Sequence, residues 1–279
     1  MLNGRGCAYS AAAEGFLTRP SQPRLAIGVP DAASGKGTAS SMELRLRLDM
    51  LQQPDETTCG PTCLHAIYHY FNDLLPLQQI IDEVPRLAEG GTLAVHLAVH
   101  ALKRGYHATI YTYNVTLFDP TWFGPNAPDM AQRLRAQMEA KPGERLRVAT
   151  QAYLEFLDLG GKLQFEDLTT GLIRKHLTHD VPILTGLSAT YLYRTAREKG
   201  SRMDYDDVQG EPSGHFVVLC GYDRGERAVL VADPLLPNPM SQNNQYAVNI
   251  DRLVCSILLG TLTFDDNLLI IKPSPKPAP

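Results

Sequence analysis

The sequence predicts an α+β fold, with helices filling the first half of the chain and strands the second. Three observations carry that reading. Leu64, Ile67, Tyr68 and Phe71 recur at helical spacing, and the segments that follow them keep the same period. From residue 181 onward the apolar runs shorten, gain Val, Ile and Leu, and end at turn residues. Helices first and strands later suit a helical lobe packed on an antiparallel sheet, with a cleft between them.

Composition narrows the function. A net charge of −4 without a long basic run excludes a general nucleic-acid binder. Five cysteines, an odd number without framework spacing, suit free thiols in a reducing, cytoplasmic setting. The N-terminus has no apolar core of signal-peptide length, and the apolar stretch 253–271 is broken by Asp265, Asp266 and Asn267. No membrane insertion is expected. Gly35-Lys36-Gly37-Thr38 departs from a phosphate loop, because Pro30 stands where the first glycine belongs and Gly37 follows the lysine. No cofactor is expected.

Taken in order, residues 1–41 are rich in Gly, Ala, Ser and Pro, lack a period, and read as a disordered extension before a domain over 42–272. Strict alternation over 43–48 predicts a strand with one buried face. Thr57 or Thr58 is expected to cap a helix holding Gly60 and Pro61 in its first turn. Further helices are expected at 77–84 and 93–104, the latter stopped by Gly105, then a strand at 106–115. A proline-rich loop at 118–128 carries the only tryptophan, Trp122, and helices follow at 129–140, 145–158 and 168–177. Strands are expected at 181–187, 216–222, 228–232 and 268–271, with a helix over 250–258. The polar segment 194–213 reads as an exposed loop or hairpin, and the proline-rich tail 273–279 as disordered.

The chemistry concentrates in two stretches. In Gln52-Gln53-Pro54-Asp55-Glu56-Thr57-Thr58-Cys59-Gly60-Pro61, Cys59 falls at the start of a helix, where unpaired N–H groups and the dipole favour a thiolate. Gln53, six residues earlier, puts an amide within reach of a developing oxyanion. Far downstream, Gly214-His215-Phe216-Val217-Val218-Leu219-Cys220-Gly221-Tyr222-Asp223 sets a histidine at the start of an apolar strand. The next strand ends at Asp233-Pro234, and a hairpin between the two returns Asp233 towards His215. A carboxylate there can orient the imidazole towards a thiol. Each residue alone also suits a structural role; the combination points to a nucleophile.

These stretches resemble the papain-superfamily cysteine peptidases that process double-glycine leader peptides of bacteriocins, and most closely their freestanding, peptidase-like relatives. The resemblance covers roughly residues 48–75 and 212–272. It implies a papain-like two-lobed fold in which Cys59, not Cys63, is the nucleophile and Gln53 lends its side chain to the oxyanion hole. His215 and Asp233 would complete the triad. The sequence departs from the pattern in having Thr58 where the family commonly has aspartate and in a longer 118–166 segment, and none of its stretches is expected to serve as the membrane-spanning transporter to which the bacteriocin enzymes are usually fused.

The resulting expectation is a cysteine peptidase or amidohydrolase acting on a peptide or small amide, with catalytic residues Cys59, His215, Asp233 and Gln53. Trp122 is a candidate to line the substrate cleft. Peptidyl or acyl transfer through the same thioester is the alternative chemistry, and a non-catalytic peptide-binding module the alternative class. A metal is not expected. Cys59 and Cys63 share one helix face and His65 and His69 another, about 120° away, so the four do not converge.

Overall fold

The strongest constraint on the fold is a set of strands buried on both faces. The computed structural model describes residues 43–88, 90–200, 204–264 and 266–274, all within one unit spanning Ser41–Pro279. The expected disorder of 1–41 and most of the tail 273–279 lie outside the described residues.

In chain order the elements are β1 (Leu44–Arg45), α1 (Cys59–Tyr70), α2 (Leu77–Glu83), α3 (Ala94–Lys103), β2 (Tyr106–Thr112), α4 (Met130–Ala140), α5 (Glu144–Asp158), β3 (Lys162–Gln164) and α6 (Thr170–Leu177). Then come β4 (Ile183–Ser188), α7 (Ala189–Tyr193), β5 (Glu198–Lys199), β6 (Asp204–Tyr205), β7 (Gly214–Asp223), β8 (Ala228–Ala232), β9 (Gln245–Asn249), α8 (Ile250–Leu258) and β10 (Asn267–Pro273). The main sheet runs β3-β2-β10-β4-β7-β8-β9, and β1 also pairs with β7. Every pair is antiparallel except β2–β3, so the sheet is mixed and β2 joins it from the helical half of the chain.

β4, β7 and the first five residues of β10 are almost continuously buried, which requires cover on both faces. Helix α1 packs on β7, and α3 on β2 and β10; α6 lies on β4 and β7, and α8 on β4, β8 and β9. Edge strand β9 instead alternates, burying Tyr246 and Val248 and exposing Ala247 and Asn249. The fold is the expected α+β arrangement of helices on a largely antiparallel sheet.

Some elements differ from expectation for identifiable reasons. The strand expected over 43–48 pairs only at Leu44 and Arg45, although the Leu46 N–H still donates to the Cys220 carbonyl at 2.7 Å. Beyond that point the alternation of buried Leu46, Leu48 and Met50 with exposed Arg47 and Asp49 persists without a ladder. Polar side chains of a neighbouring segment take its carbonyls instead: Gln245 donates to Leu48 at 2.9 Å and Asn244 to Met50 at 2.5 Å. Neither threonine caps α1 with its hydroxyl. Thr57 Oγ1 donates to Asp55, and Thr58 Oγ1 donates to the Asp55 carbonyl at 3.0 Å, closing the turn before the helix. Thr169, by contrast, does cap α6, accepting from the Leu172 N–H at 3.1 Å. β3, α7 and β9 were not expected, and 194–213 folds around the β5–β6 hairpin.

Gly60 lets α1 approach the sheet. A Cβ at this position would lie 2.8 Å from Thr92 Cγ2 and 3.3 Å from the Phe216 ring. Gly60→Ala should therefore destabilise the protein by about 1–3 kcal/mol, the usual cost of overpacking. A lower urea midpoint with an unchanged m value checks this.

Candidate active site

Four segments meet at one end of β7. His215 is the second residue of that strand, paired with Leu187 of β4. Asp233 follows β8, which pairs antiparallel with β7 and so returns the chain to the histidine. Its Oδ1 lies 2.8 Å from His215 Nε2. Cys59 opens α1 and interacts with the same imidazole. Asp233 occupies Nε2, so Nδ1 is the nitrogen left for the thiol. Gln53 is held by its backbone N–H, which donates to the Pro234 carbonyl at 2.9 Å, directly after Asp233. Gln52 reinforces the seam by donating to the Leu236 carbonyl at 2.8 Å.

All four side chains are nearly enclosed: Cys59 is 8% exposed, Gln53 8%, His215 7% and Asp233 0%. The Gln53 amide donates one N–H to the Asp55 carbonyl at 2.9 Å, leaving its second N–H unassigned and its Oε1 buried without a partner. A fully buried carboxylate resists ionisation, yet Asp233 is held below the usual carboxylate range. Burial pushes it up; the charge and hydrogen bond of His215, with hydroxyls from Tyr193 and Tyr246, more than offset that. Burial likewise disfavours the imidazolium, but Asp233 and Cys59 raise His215 to about 10. The arrangement can thus hold a protonated imidazole beside a sulfur through neutral pH.

Two neighbours of Asp233 were not anticipated. Tyr193, at the end of α7, and Tyr246, on β9, each donate a hydroxyl to Asp233 Oδ2 at 2.6 Å. The buried–exposed alternation over 245–249 is a signal for Tyr246; no comparable signal marks Tyr193.

The loop that carries Trp122 leaves the sheet three strands from β7. The row Phe216, Gly186, Asn267 and Thr112 crosses β7, β4, β10 and β2, so β2 ends at the same edge of the sheet as His215. At three strand spacings, the loop bearing Trp122 starts roughly 14 Å away. Asn114 fixes its departure, donating to Asp266 at 3.1 Å and accepting from the Thr116 and Leu117 N–H groups. The ring itself is partly buried against the core.

Cys63 and the histidine pairs of α1 and α3 have neighbours of their own. Cys63 turns its thiol to the Phe216 carbonyl at 3.3 Å, while His65 and His69 stack on each other with centroids 5.8 Å apart. Among the described residues no group of His, Cys, Asp and Glu is arranged to hold a metal. His100 links Tyr68 at 2.8 Å and Glu83 at 2.9 Å, and His96 meets Thr92 at 3.3 Å.

The start of α1, the start of β7 and the residue after β8 thus bring a cysteine, a histidine and a buried aspartate together. The family model described as the Peptidase_C39 like family matches residues 45–253. The chain belongs to that family. By this membership the chain is a cysteine-type peptidase. It is also similar to a double-glycine-motif protease from an AMS/PCAT transporter solved with the leader peptide, at 15% identity and a TM-score of 0.41, covering 83% of this chain and 96% of that one. A second similar structure is the peptidase domain of Streptococcus ComA, a bi-functional ABC transporter involved in quorum sensing, at 12% identity, TM-score 0.40 and coverages of 81% and 99%. A third is xylellain, a cysteine protease from Xylella fastidiosa, at 14% identity, TM-score 0.39 and coverages of 83% and 86%. No curated protein gives a significant sequence match. No helix among the described residues is long and apolar enough to cross a membrane.

The environments of the thiols separate them. Burial pushes Cys63 well above the ordinary thiol range, and it pushes Cys220 up to about 12. In the folded protein at pH 8, iodoacetamide should therefore leave both unmodified while both react after denaturation. Peptide mapping by mass spectrometry checks this.

Proposed function

We propose that the protein cleaves a peptide or small amide bond through a Cys59 thioester. The observation that carries this is the unbroken sequence of contacts from Cys59 through His215 to Asp233, with Gln53 pinned beside it by Pro234. His215 Nδ1 takes the Cys59 proton, and the thiolate attacks the scissile carbonyl carbon. The tetrahedral oxyanion receives the Cys59 backbone N–H and the second N–H of Gln53 Nε2. Collapse expels the amine, which takes its proton from His215 and leaves an acyl thioester. Water, losing its proton to His215, attacks that thioester and releases the carboxylic acid and free Cys59.

On family grounds a peptide with a double-glycine junction is the first substrate to try, with Trp122 proposed to line the outer cleft. Four unpaired cysteines among the described residues support action in a reducing compartment such as the cytoplasm.

Intact-mass spectrometry after brief iodoacetamide treatment should show one fast adduct near pH 6, absent in Cys59→Ala and slowed in His215→Ala. Modification of Cys59 no faster than an ordinary thiol would overturn the catalytic reading in favour of a binding module. Products bearing an added amine instead of water would reassign the protein as a transferase.

The pH profile has a defined sign. His215 is raised, so its imidazolium persists through neutral pH and is lost as pH rises through about 10. Asp233→Asn removes the charge that raises it, so the alkaline limb of kcat/KM should move to lower pH. Gln53→Ala should lower kcat by about 10²–10³, the usual effect of one oxyanion donor, with KM little changed.

A further inference from the structure

Asp233 has more hydrogen-bond donors than orienting a histidine requires. Oδ1 takes His215 Nε2 at 2.8 Å and the Leu235 N–H at 2.9 Å, while Oδ2 takes both the Tyr193 and Tyr246 hydroxyls at 2.6 Å. These tyrosines come from unrelated elements, the end of α7 and the edge strand β9. Each phenol is held neutral, since burial and then the Asp233 charge push both well above the ordinary tyrosine range. They therefore act as donors at any working pH. Tyr193 also stands against the imidazole, with ring centroids 6.1 Å apart. A carboxylate at 0% exposure that lost these donors would be left desolvated on one oxygen.

We propose that Tyr193 and Tyr246 are positioning residues, a pair of hydroxyls that keeps Asp233 ionised and keeps its Oδ1 turned to His215. The pair acts through Asp233 and touches neither substrate nor the reacting sulfur. This inference rests on the reading of Cys59, His215 and Asp233 as the catalytic group.

The test compares wild type, Tyr193→Phe, Tyr246→Phe and the double variant, each with Asp233 and with Asp233→Asn, by the pH profile of Cys59 alkylation with iodoacetamide. With two donors gone the carboxyl takes up a proton at higher pH, His215 loses its counter-charge, and the acid limb of the double variant moves up by about one unit, a tenfold loss of rate on that limb. In the Asp233→Asn background there is no carboxylate to protonate, so the same substitutions leave the limb in place. An unmoved limb with Asp233 present, or an equal shift without it, overturns the proposal. Should the double variant not fold, either single variant carries the same comparison.

Thermal unfolding reads the pair without any reference to reactivity. A lowered carboxylate contributes stability above its ordinary range that is lost as pH falls through its folded value. Removing the hydroxyls raises that value, so the Tm deficit of the variants should be full at pH 7 and close as pH falls through the carboxylate range. A deficit independent of pH would sink the hydroxyl pair even if Cys59 proves reactive. An unreactive Cys59 with a pH-dependent deficit would instead sink the catalytic reading alone.

Discussion

A single buried carboxylate organises this end of the molecule. Asp233 has no exposed surface, and a charge there is tolerable only when several donors converge on it. They come from β7, α7, β9 and the turn after β8, parts of the chain far apart in sequence. Each element must arrive in register for the carboxylate to be satisfied. The pairing of β7 with β4 and β8, and of β8 with β9, provides that register. The site and the sheet are in this sense one construction.

The segment before α1 is tied into the same construction from the other side. Gln53 bonds the Pro234 carbonyl, and the chain leading to it is held by Gln245 and Asn244. An N-terminal strap therefore lies along the residues that follow Asp233. Gln53 and Asp233 are fixed to each other by main-chain geometry and not by side-chain reach. The turn at Asp55–Thr58 consumes the threonine hydroxyls that would otherwise cap α1, and no side chain caps the helix that Cys59 opens.

How far the sequence discloses this follows from where the information is local. Cys59, Gln53, His215 and Asp233 sit in short stretches whose turn residues and apolar runs fix their local structure, so the structure brings together residues that the sequence already singled out. Tyr193 lies on a five-residue helix between β4 and the hairpin, a segment too short and mixed to carry a period. Its role is defined only by a partner forty positions away. β3 was equally hidden, since a three-residue strand gains its identity from parallel pairing with β2 rather than from its own composition. The helical lobe was easier, because α3 and α5 each span several turns and declare an apolar face. The first strand was overread for the opposite reason: alternation reports which side is buried, not whether a ladder is made.

The two cysteines of α1 show why residue type and spacing stop short of chemistry. Cys59 and Cys63 are one turn apart on the same face, and spacing alone does not tell the two thiols apart. Cys63 is fully buried, bonded to a strand carbonyl and pushed towards the neutral thiol by its surroundings. Cys59 keeps a trace of exposure and contacts an imidazole that Asp233 keeps protonated. One helical turn, about 5.4 Å, separates a thiol that burial keeps neutral from one that contacts a raised imidazole. The difference lies in neighbours more than 150 positions away, which the sequence can suggest only because His215 and Asp233 announce themselves in their own stretches.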